Sequence, residues 1–198
     1  MTTVTSPRPK ILAFAGSQRI GSFNKKLVKI AAAAARAAGA EVTFLDLRDL
    51  ELPLFDQDLE AASGLPDGAK KFKALLGESD GFLIASPEYN GGFTPLLKNA
   101  IDWATRPETK DEPSLIAFRG KSAALLAASP GALGGMRALV HLSSLLGNIG
   151  VLVLPDQVTL STAYDAFNDE DELKDITKAQ QVAQFAESFV NFLRKHQA

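Results

Sequence analysis

The chain of 198 residues contains no cysteine and only two histidines, His141 and His196. Without thiols it can form no disulfide, no thiolate nucleophile and no cysteine-bound metal site. Two isolated histidines do not make a histidine metal cluster either, so no resident metal is expected. An excess of one charge is also missing: 21 lysines and arginines stand against 23 acids, a formal net charge of −2. With no long basic run, the electrostatic footprint of a nucleic-acid binder is absent. No apolar run reaches the roughly 20 residues of a membrane span, and Met1 to Lys10 lacks the apolar core of a secretory signal. These absences leave a cytoplasmic enzyme or binding protein with no nucleic-acid or membrane partner as the expectation.

The composition is 46% hydrophobic and 22% charged, close to the globular average and sufficient for a sound core. The length suits one domain, so residues 1–198 read as a single domain with 1–9 as a flexible tail. The rest is organised around Gly16-Ser17-Gln18-Arg19-Ile20-Gly21-Ser22-Phe23-Asn24. An apolar run, Ile11 to Ala15, precedes it and reads as a buried strand. An alanine-rich stretch, Lys25 to Ala38, follows and reads as a helix. The glycines are expected to let the backbone turn sharply, and the first N–H groups of the helix have no intrahelical partner. Ser17, Ser22 and Asn24 add donors and Arg19 a charge, so the stretch reads as a phosphate site. It is not a nucleoside-triphosphate loop, because Ser22 stands where the lysine is needed. It is not a dinucleotide fingerprint, because position 18 is glutamine. A loop suited to a single terminal phosphate remains, against the alternative of a plain strand-to-helix connection with an N-cap.

Along the chain, strands are predicted at Lys10–Ala15, Glu41–Leu45, Gly81–Ala85, Ser122–Ala128 and Val151–Leu154. Helices are predicted at Lys25–Ala38 with a left-handed stop at Gly39, Gly68–Leu76, Pro95–Arg106, Met136–Leu146 stopped by Gly147 or Gly150, and Ile176–Lys195. The last should bury Val182, Phe185, Phe189 and either Phe192 or Leu193. The alanines from Ala31 to Ala35 let the first helix lie close on the sheet. Asp46 to Pro66 is a long connection of the kind that is often functional, and its acids (Asp46, Asp49, Asp56, Asp58) read as solvated loop charge. Ala163 to Asp175 reads as a loop with a helix start. A second ligand loop runs from Ser86 to Pro95, with Thr94 as N-cap and Pro95 at the first helical position. Gly91 and Gly92 there are expected to allow close approach to a flat ligand. A third loop runs from Ser129 to Gly135. His141 reads as a helix-face or interface residue, not a base.

Strand and helix alternate five times, which implies an α/β, three-layer fold with a five-stranded parallel sheet in order 2-1-3-4-5. The three glycine- and hydroxyl-rich loops follow strands one, three and four. They therefore converge on the crevice where such sheets bind ligands.

In these stretches the chain resembles the NADPH-dependent FMN reductase family, flavodoxin-like proteins that include quinone, azo-dye and chromate reductases. The likeness rests on Gly16-Ser17-x-Arg19-x-x-Ser22-x-Asn24, on Pro87-Glu88-Tyr89-Asn90-Gly91-Gly92, and on Pro95-Leu96-Leu97-Lys98-Asn99-Ala100-Ile101-Asp102-Trp103. It spans nearly the whole chain. It implies that Ser17, Arg19, Ser22 and Asn24 hold the phosphate of FMN, and that Phe23 also belongs to the cofactor site. Pro87, Glu88, Tyr89, Asn90 and Gly91 would border its ring and ribityl chain, and Ser129 and Gly134 would close the other side. It implies NADPH or NADH as donor and quinones, free flavin, azo compounds or metal oxyanions as acceptors. A homodimer or homotetramer is implied too, with Pro95–Arg106 at the interface and Glu88 either salt-bridged there or touching the flavin. Leu96, Leu97, Ile101 and Trp103 are expected to leave that helix an exposed apolar patch. Hydride chemistry is FMN's own, so no catalytic side chain is expected. A single crevice implies that donor and acceptor take turns, giving ping-pong kinetics. Two other readings stay open. One is an electron-transfer flavodoxin-like module that does not itself oxidise NADPH, although such proteins are usually more acidic. The other is a regulatory or scaffold protein without cofactor.

Overall fold

A computed structural model describes residues 8–196. Residues 1–7 of the expected tail lie outside the described residues, whereas Pro9 is buried and its carbonyl accepts from the Glu41 N–H at 2.9 Å. The elements in chain order are β1 (Lys10–Ala15), α1 (Phe23–Ala37), β2 (Glu41–Asp46), a 3-10 turn (Leu47–Leu50), α2 (Gln57–Ser63), α3 (Asp67–Glu78), β3 (Gly81–Ala85), α4 (Pro95–Ala104), β4 (Ser122–Ala128), α5 (Met136–Asn148), β5 (Leu152–Leu160) and α6 (Ile176–His196). The strands form one parallel sheet in the order β2-β1-β3-β4-β5, as the alternation of elements implies.

The central strands are apolar without a break because both sheet faces are covered. Successive side chains point to opposite faces. Ile11, Ala13, Ala15, Leu83, Ala85, Ala124 and Leu126 pack under α1 and α6, while Leu12, Phe14, Phe82, Ile84, Ala123, Leu125 and Ala127 pack under α3, α4 and α5. Ala31, Ala32 and Ala35 are fully buried, so the small face of α1 lies directly on the sheet. The helix ends in a left-handed stop at Gly39, φ +93°, where the N–H groups of Gly39 and Ala40 bond the carbonyls of Arg36 and Ala35 at 2.9 and 3.0 Å. On α6 it is Leu193, not Phe192, that joins Val182, Phe185 and Phe189 in the core. Among the described residues no helix is long and apolar enough to cross a membrane.

Three expectations need correction. The connection from Asp46 to Pro66 is not structureless: Asp46 caps the 3-10 turn through the Arg48 N–H at 3.0 Å, and Asp56 caps α2 through the Asp58 N–H at 2.8 Å. It forms a strap over α4. Phe55 stands edge-on to Trp103 at 5.0 Å, and the Trp103 indole and the Asn99 amide both donate to the Pro53 carbonyl at 2.8 Å. Leu97, Ile101 and Trp103 are consequently buried within the chain, and α4 presents no apolar patch built from them. Strand β5 runs six residues past Leu154 to Leu160 because the sheet absorbs Pro155 in a bulge: Ala123 pairs with Val153 but Leu125 with Gln157. An edge strand tolerates proline there, since its outer N–H groups need no partner. Ala163 to Asp175 is a loop with a helix start at its end, as expected. It closes on itself through a Phe167–Leu173 bridge, and Asp175 then caps α6 through the Thr177 N–H at 2.8 Å.

One buried ion pair fastens α1 to the end of β2. Lys25 Nζ meets Asp46 Oδ2 at 2.6 Å, with side chains 6% and 20% exposed. Burial by itself raises the pKa of the Asp46 carboxyl. Hydrogen bonds from Lys25 and the Arg48 N–H, and the charges of both residues, outweigh it and hold the group below its ordinary value. A carboxylate depressed in this way contributes its stability above the unfolded pKa of about 3.9 and loses it as pH falls through the lower folded value. Asp46→Ala is therefore expected to cost about 3–5 kcal/mol at pH 7 in urea denaturation. The gap to the parent should stay constant down to about pH 5 and close below about pH 4. A gap unchanged in acid would refute the ion-pair account.

Candidate functional site

The loops after β1, β3 and β4 meet at the carboxyl ends of the strands, and buried side chains bind them to one another. Thr94 caps α4, its hydroxyl accepting from the Leu97 N–H at 3.3 Å and donating to the Gly16 carbonyl at 2.7 Å. Neither Gly16 nor Gly21 adopts the left-handed backbone expected of a sharp turn. Gly16 is needed for closeness instead: a Cβ there would lie 2.7 Å from the Thr94 hydroxyl and 3.0 Å from Leu97 Cβ. Asn24 is 3% exposed. Its amide donates to the Ala128 carbonyl at 2.8 Å and its oxygen accepts from the Ala128 N–H at 2.9 Å. The expectation placed Asn24 on a phosphate; the geometry makes it first of all the clamp between α1 and the end of β4.

The second loop folds back as a tight hairpin. Tyr89 and Gly92 exchange both backbone hydrogen bonds, at 2.9 and 3.0 Å, around Asn90 (φ +52°) and Gly91 (φ +85°). Two successive positive φ values are the signature of a type I′ turn, which Asn-Gly suits best. Gly91 thus serves the turn itself, and Gly92 closes it.

A cavity of about 130 Å³ lies between these loops, lined by Ser17, Arg19, Ser22, Phe23, Asn24, Pro87, Glu88, Tyr89, Ala128, Ser129 and Pro130. Most of the expected site residues are therefore brought together, and Ala128 and Pro130 join them. Asn90 and Gly91 face a neighbouring opening of about 720 Å³ instead, whose walls include Phe93, Lys98, Arg137, Val140 and His141. Gly134 lines neither. It packs on the backbone of Leu160 and Ser161, 3.0 Å from where a Cβ would stand.

The cavity's chemistry favours an anion. Ser22 is the N-cap of α1, buried, with its hydroxyl 3.4 Å from the Lys25 N–H, and no acid occupies the helix's first turn. The positive end of α1 thus meets the cavity uncompensated. Lys25 is committed to Asp46, so the exposed cation at the rim is Arg19, whose guanidinium lies 5.5 Å from the Phe23 ring centre. Phe23 is held by Phe167, stacked at 6.0 Å, and by Tyr164, edge-on at 5.4 Å. On the opposite wall Glu88 Oε1 pairs with Arg137 of α5 through Nε at 2.7 Å and through Nη2. The Glu88 side chain is only 8% exposed, and its Oε2 is buried with no partner. A buried carboxylate oxygen left without a donor is costly, and this one is open to an N–H or O–H donor. Sequence reading missed Arg137, since a lone arginine at the second position of a helix carries no local signal. His141 is exposed on α5, a helix-face residue as expected.

A volume of about 130 Å³ is below the roughly 300 Å³ at which sites for whole ligands begin. It suits one end of a ligand. The hydroxyls of Ser17 and Ser22, the N–H groups of the first turn and Arg19 suit a phosphate, and the open Glu88 oxygen suits a hydroxyl or imide donor further along. This donor set fits FMN.

Comparison with known proteins gives a consistent result. The family model for "NADPH-dependent FMN reductase" matches residues 9–165. The chain is 36% identical over 176 residues to an NAD(P)H-dependent FMN reductase of Pseudomonas aeruginosa, covering 88% of this chain and 89% of that one. It is 37% identical over 146 residues to a 2-hydroxy-1,4-benzoquinone reductase of Burkholderia, covering 73% and 74%. The solved flavoenzyme NAD(P)H:(acceptor) oxidoreductase of Paracoccus denitrificans superposes with a TM-score of 0.77 at 29% identity, covering 95% of this chain and 98% of that one.

Removal of the rim cation tests the anion site. A charge-assisted hydrogen bond contributes roughly 1.5–3 kcal/mol, so Arg19→Ala is expected to weaken FMN binding by about 10–100-fold in fluorescence titration. The unfolding midpoint should not move, because the side chain is exposed. An unchanged FMN affinity would remove Arg19 from the site.

Proposed function

Because this chain belongs to the NADPH-dependent FMN reductase family, we propose that it carries electrons from NADPH or NADH to small acceptors, with FMN held above the ends of β1, β3 and β4. It is an NAD(P)H-dependent oxidoreductase of the FMN and quinone reductase kind. The observation that carries the site assignment is the uncompensated N-terminus of α1, opening with Ser17, Ser22 and Arg19 into one cavity with the buried, unpartnered oxygen of Glu88. In this reading Ser17, Arg19, Ser22 and the first N–H groups of α1 hold the phosphate, and Phe23 walls it. Pro87, Glu88, Tyr89 and the Asn90-Gly91 turn border the remainder, with Ser129 and Pro130 on the far side. Asn24 keeps the two walls at a fixed distance.

When bound, FMN supplies hydride acceptance and donation, chemistry that no side chain possesses. The protein's residues bind, orient and exclude water. None is asked to move a proton: Glu88 is committed to Arg137, and His141 stands exposed on α5. One crevice would serve both substrates, so the oxidised donor would have to leave before the acceptor enters. A site that must admit a nicotinamide cannot close tightly on one small acceptor, so quinones, free flavin, azo compounds and metal oxyanions all remain within its range. A cytoplasmic setting suits such an enzyme, since NAD(P)H is supplied there.

Self-association, as homodimer or homotetramer, is part of the same proposal. With α4 covered by its strap, the support comes from α5, where Met136 and Val140 lie one turn apart and are 47% and 61% exposed, with Leu133 (50%) just before them. Exposed apolar groups gathered in this way mark interfaces.

Two measurements follow. Initial rates over a grid of NADPH and quinone concentrations are expected to give parallel double-reciprocal lines and to vary little with pH near neutrality, because no side-chain base is needed. Intersecting lines would mean a ternary complex and the failure of the single-crevice mechanism. Light scattering at micromolar concentration is expected to return at least twice the chain mass of 21.1 kDa, and Val140→Arg to reduce it. A parent protein at the monomer mass would refute the assembly.

A further inference from the structure

The loop that follows β5 does not stay at its own edge of the sheet. The Ala163 N–H donates to the Ser129 carbonyl at 3.2 Å, and the chain then passes the end of β4 to reach the first turn of α1. There it is built as a closed turn. Phe167 and Leu173 pair across it. The Asn168 N–H donates to the Glu172 carbonyl at 2.9 Å, and the Asn168 side-chain oxygen accepts from the N–H groups of Glu170 and Glu172 at 3.1 and 2.7 Å. Local bonds of this kind fix a turn without help from a helix or a sheet.

Two grips join this turn to α1. Asp171 Oδ1 meets Lys26 Nζ at 2.5 Å, and the same ammonium lies 5.5 Å from the centre of the Phe167 ring. Phe167 is only 7% exposed and stacks on Phe23 with the two planes 2° apart. Tyr164 meets Phe23 edge-on, its plane at 89°. One ring parallel to Phe23 and one perpendicular to it fix both its position and its tilt, in the two arrangements that aromatic pairs favour. Phe23 in turn lines the anion cavity, and the Arg19 guanidinium lies 5.5 Å from its centre. A long exposed side chain has many rotamers open to it. Those of Arg19 are narrowed by the Phe23 face and by the Gly21 carbonyl, 3.4 Å from Nη2.

Resting on the FMN reading above, we propose that the loop from Ala163 to Leu173 is the positioning element of the phosphate site: Phe167 and Tyr164 orient Phe23, and Phe23 holds the Arg19 guanidinium where a phosphate enters. No residue of the loop lines the cavity, so the loop acts through Phe23. The consequence is selectivity. Riboflavin and FMN share the ring and the ribityl chain and differ in the phosphate, so the loop governs the preference for the phosphorylated flavin. A guanidinium already held in place loses less freedom when it meets its anion. Asp171 supports the arrangement by fastening the tip of the loop to Lys26.

Fluorescence titration of the full chain with FMN and with riboflavin measures that preference. It is run on the parent, on Tyr164→Leu, Tyr164→Phe and Phe167→Leu, and on each of these combined with Arg19→Ala. The parent is expected to prefer FMN. Tyr164→Leu should reduce the preference about threefold, the worth of an exposed cation–π contact, with riboflavin affinity and the unfolding midpoint unchanged, since Tyr164 is 73% exposed. Tyr164→Phe keeps the edge-on ring and should keep the preference. Phe167→Leu should act in the same direction as Tyr164→Leu, and if it fails to fold, Tyr164→Leu decides alone. With Arg19→Ala in place, none of these changes should reduce the preference further. A loop with a merely structural role would weaken both flavins alike. That result, a preference that Tyr164→Leu leaves intact, or an equal fall without Arg19 would overturn the proposal. A parent that binds both flavins equally would overturn it too, while bleaching of the bound flavin by NADPH would keep the reductase reading. FMN selectivity that depends on Tyr164, in a protein that never oxidises NADPH, would retire the reductase reading and keep this one. A parent that binds neither flavin would overturn both.

Discussion

Asn24 and Thr94 hold the site together. Three parallel strands that end side by side leave their last backbone groups without sheet partners, and buried backbone groups must find partners elsewhere. The Asn24 amide satisfies both the N–H and the C=O of Ala128, and the Thr94 hydroxyl satisfies the Gly16 carbonyl. These contacts join residues 104 and 78 positions apart. They fix the first turn of α1 against the end of β4, and the start of α4 against the end of β1, before any ligand arrives. An anion site preorganised in this way loses less conformational freedom on binding.

The core explains why that edge of the sheet can be rigid. Alternate residues of β1, β3 and β4 feed two separate cores, one under α1 and α6 and one under α3, α4 and α5. On the α1 side the strands contribute Ala13, Ala15, Ala85, Ala124 and Ala128, and the helix answers with Ala31, Ala32 and Ala35. Small residues on both sides bring α1 close to the sheet, and its N-terminus with it. Bulk is supplied by Phe185 and Phe189 of α6, further from the crevice. Ion pairs with Asp46 and Asp171 then hold the two lysines of the first turn, Lys25 and Lys26, away from the cavity, which leaves Arg19 as the exposed charge at its rim.

Much of this was legible in the sequence, for definite reasons. β1, β3 and β4 are continuous apolar runs flanked by turn residues, and their limits agree with the structure to the residue. The capping residues Thr94 and Pro95 and the stop at Gly39 declare themselves locally. The order of loops along the chain forces Ser17, Glu88 and Ser129 to one crevice once the sheet order is known. What was hidden depends on partners distant in sequence. The fifth strand runs past its expected end at Leu154 because a bulge cannot be read without its partner strand. The strap over Trp103 was invisible because its covering residues, Pro53, Phe55 and Leu65, lie in a stretch rich in turn formers. Trp103 therefore looked like an interface residue when it is core. Arg137 meets Glu88 across 49 residues, and no local pattern marks it. Gly134 looked like a ligand residue by its company in the third loop, whereas its neighbours are the backbone of Leu160 and Ser161.

The central claim is that the crevice above β1, β3 and β4 holds a flavin that this protein itself reduces. The most direct measurement is the visible absorption spectrum of the purified protein, taken with FMN supplied and then again after NADPH is added without oxygen. The account predicts the absorption bands of a bound flavin, and their bleaching by NADPH. A protein that stays colourless after FMN is supplied, or one whose bound flavin keeps its colour in excess NADPH, would contradict it.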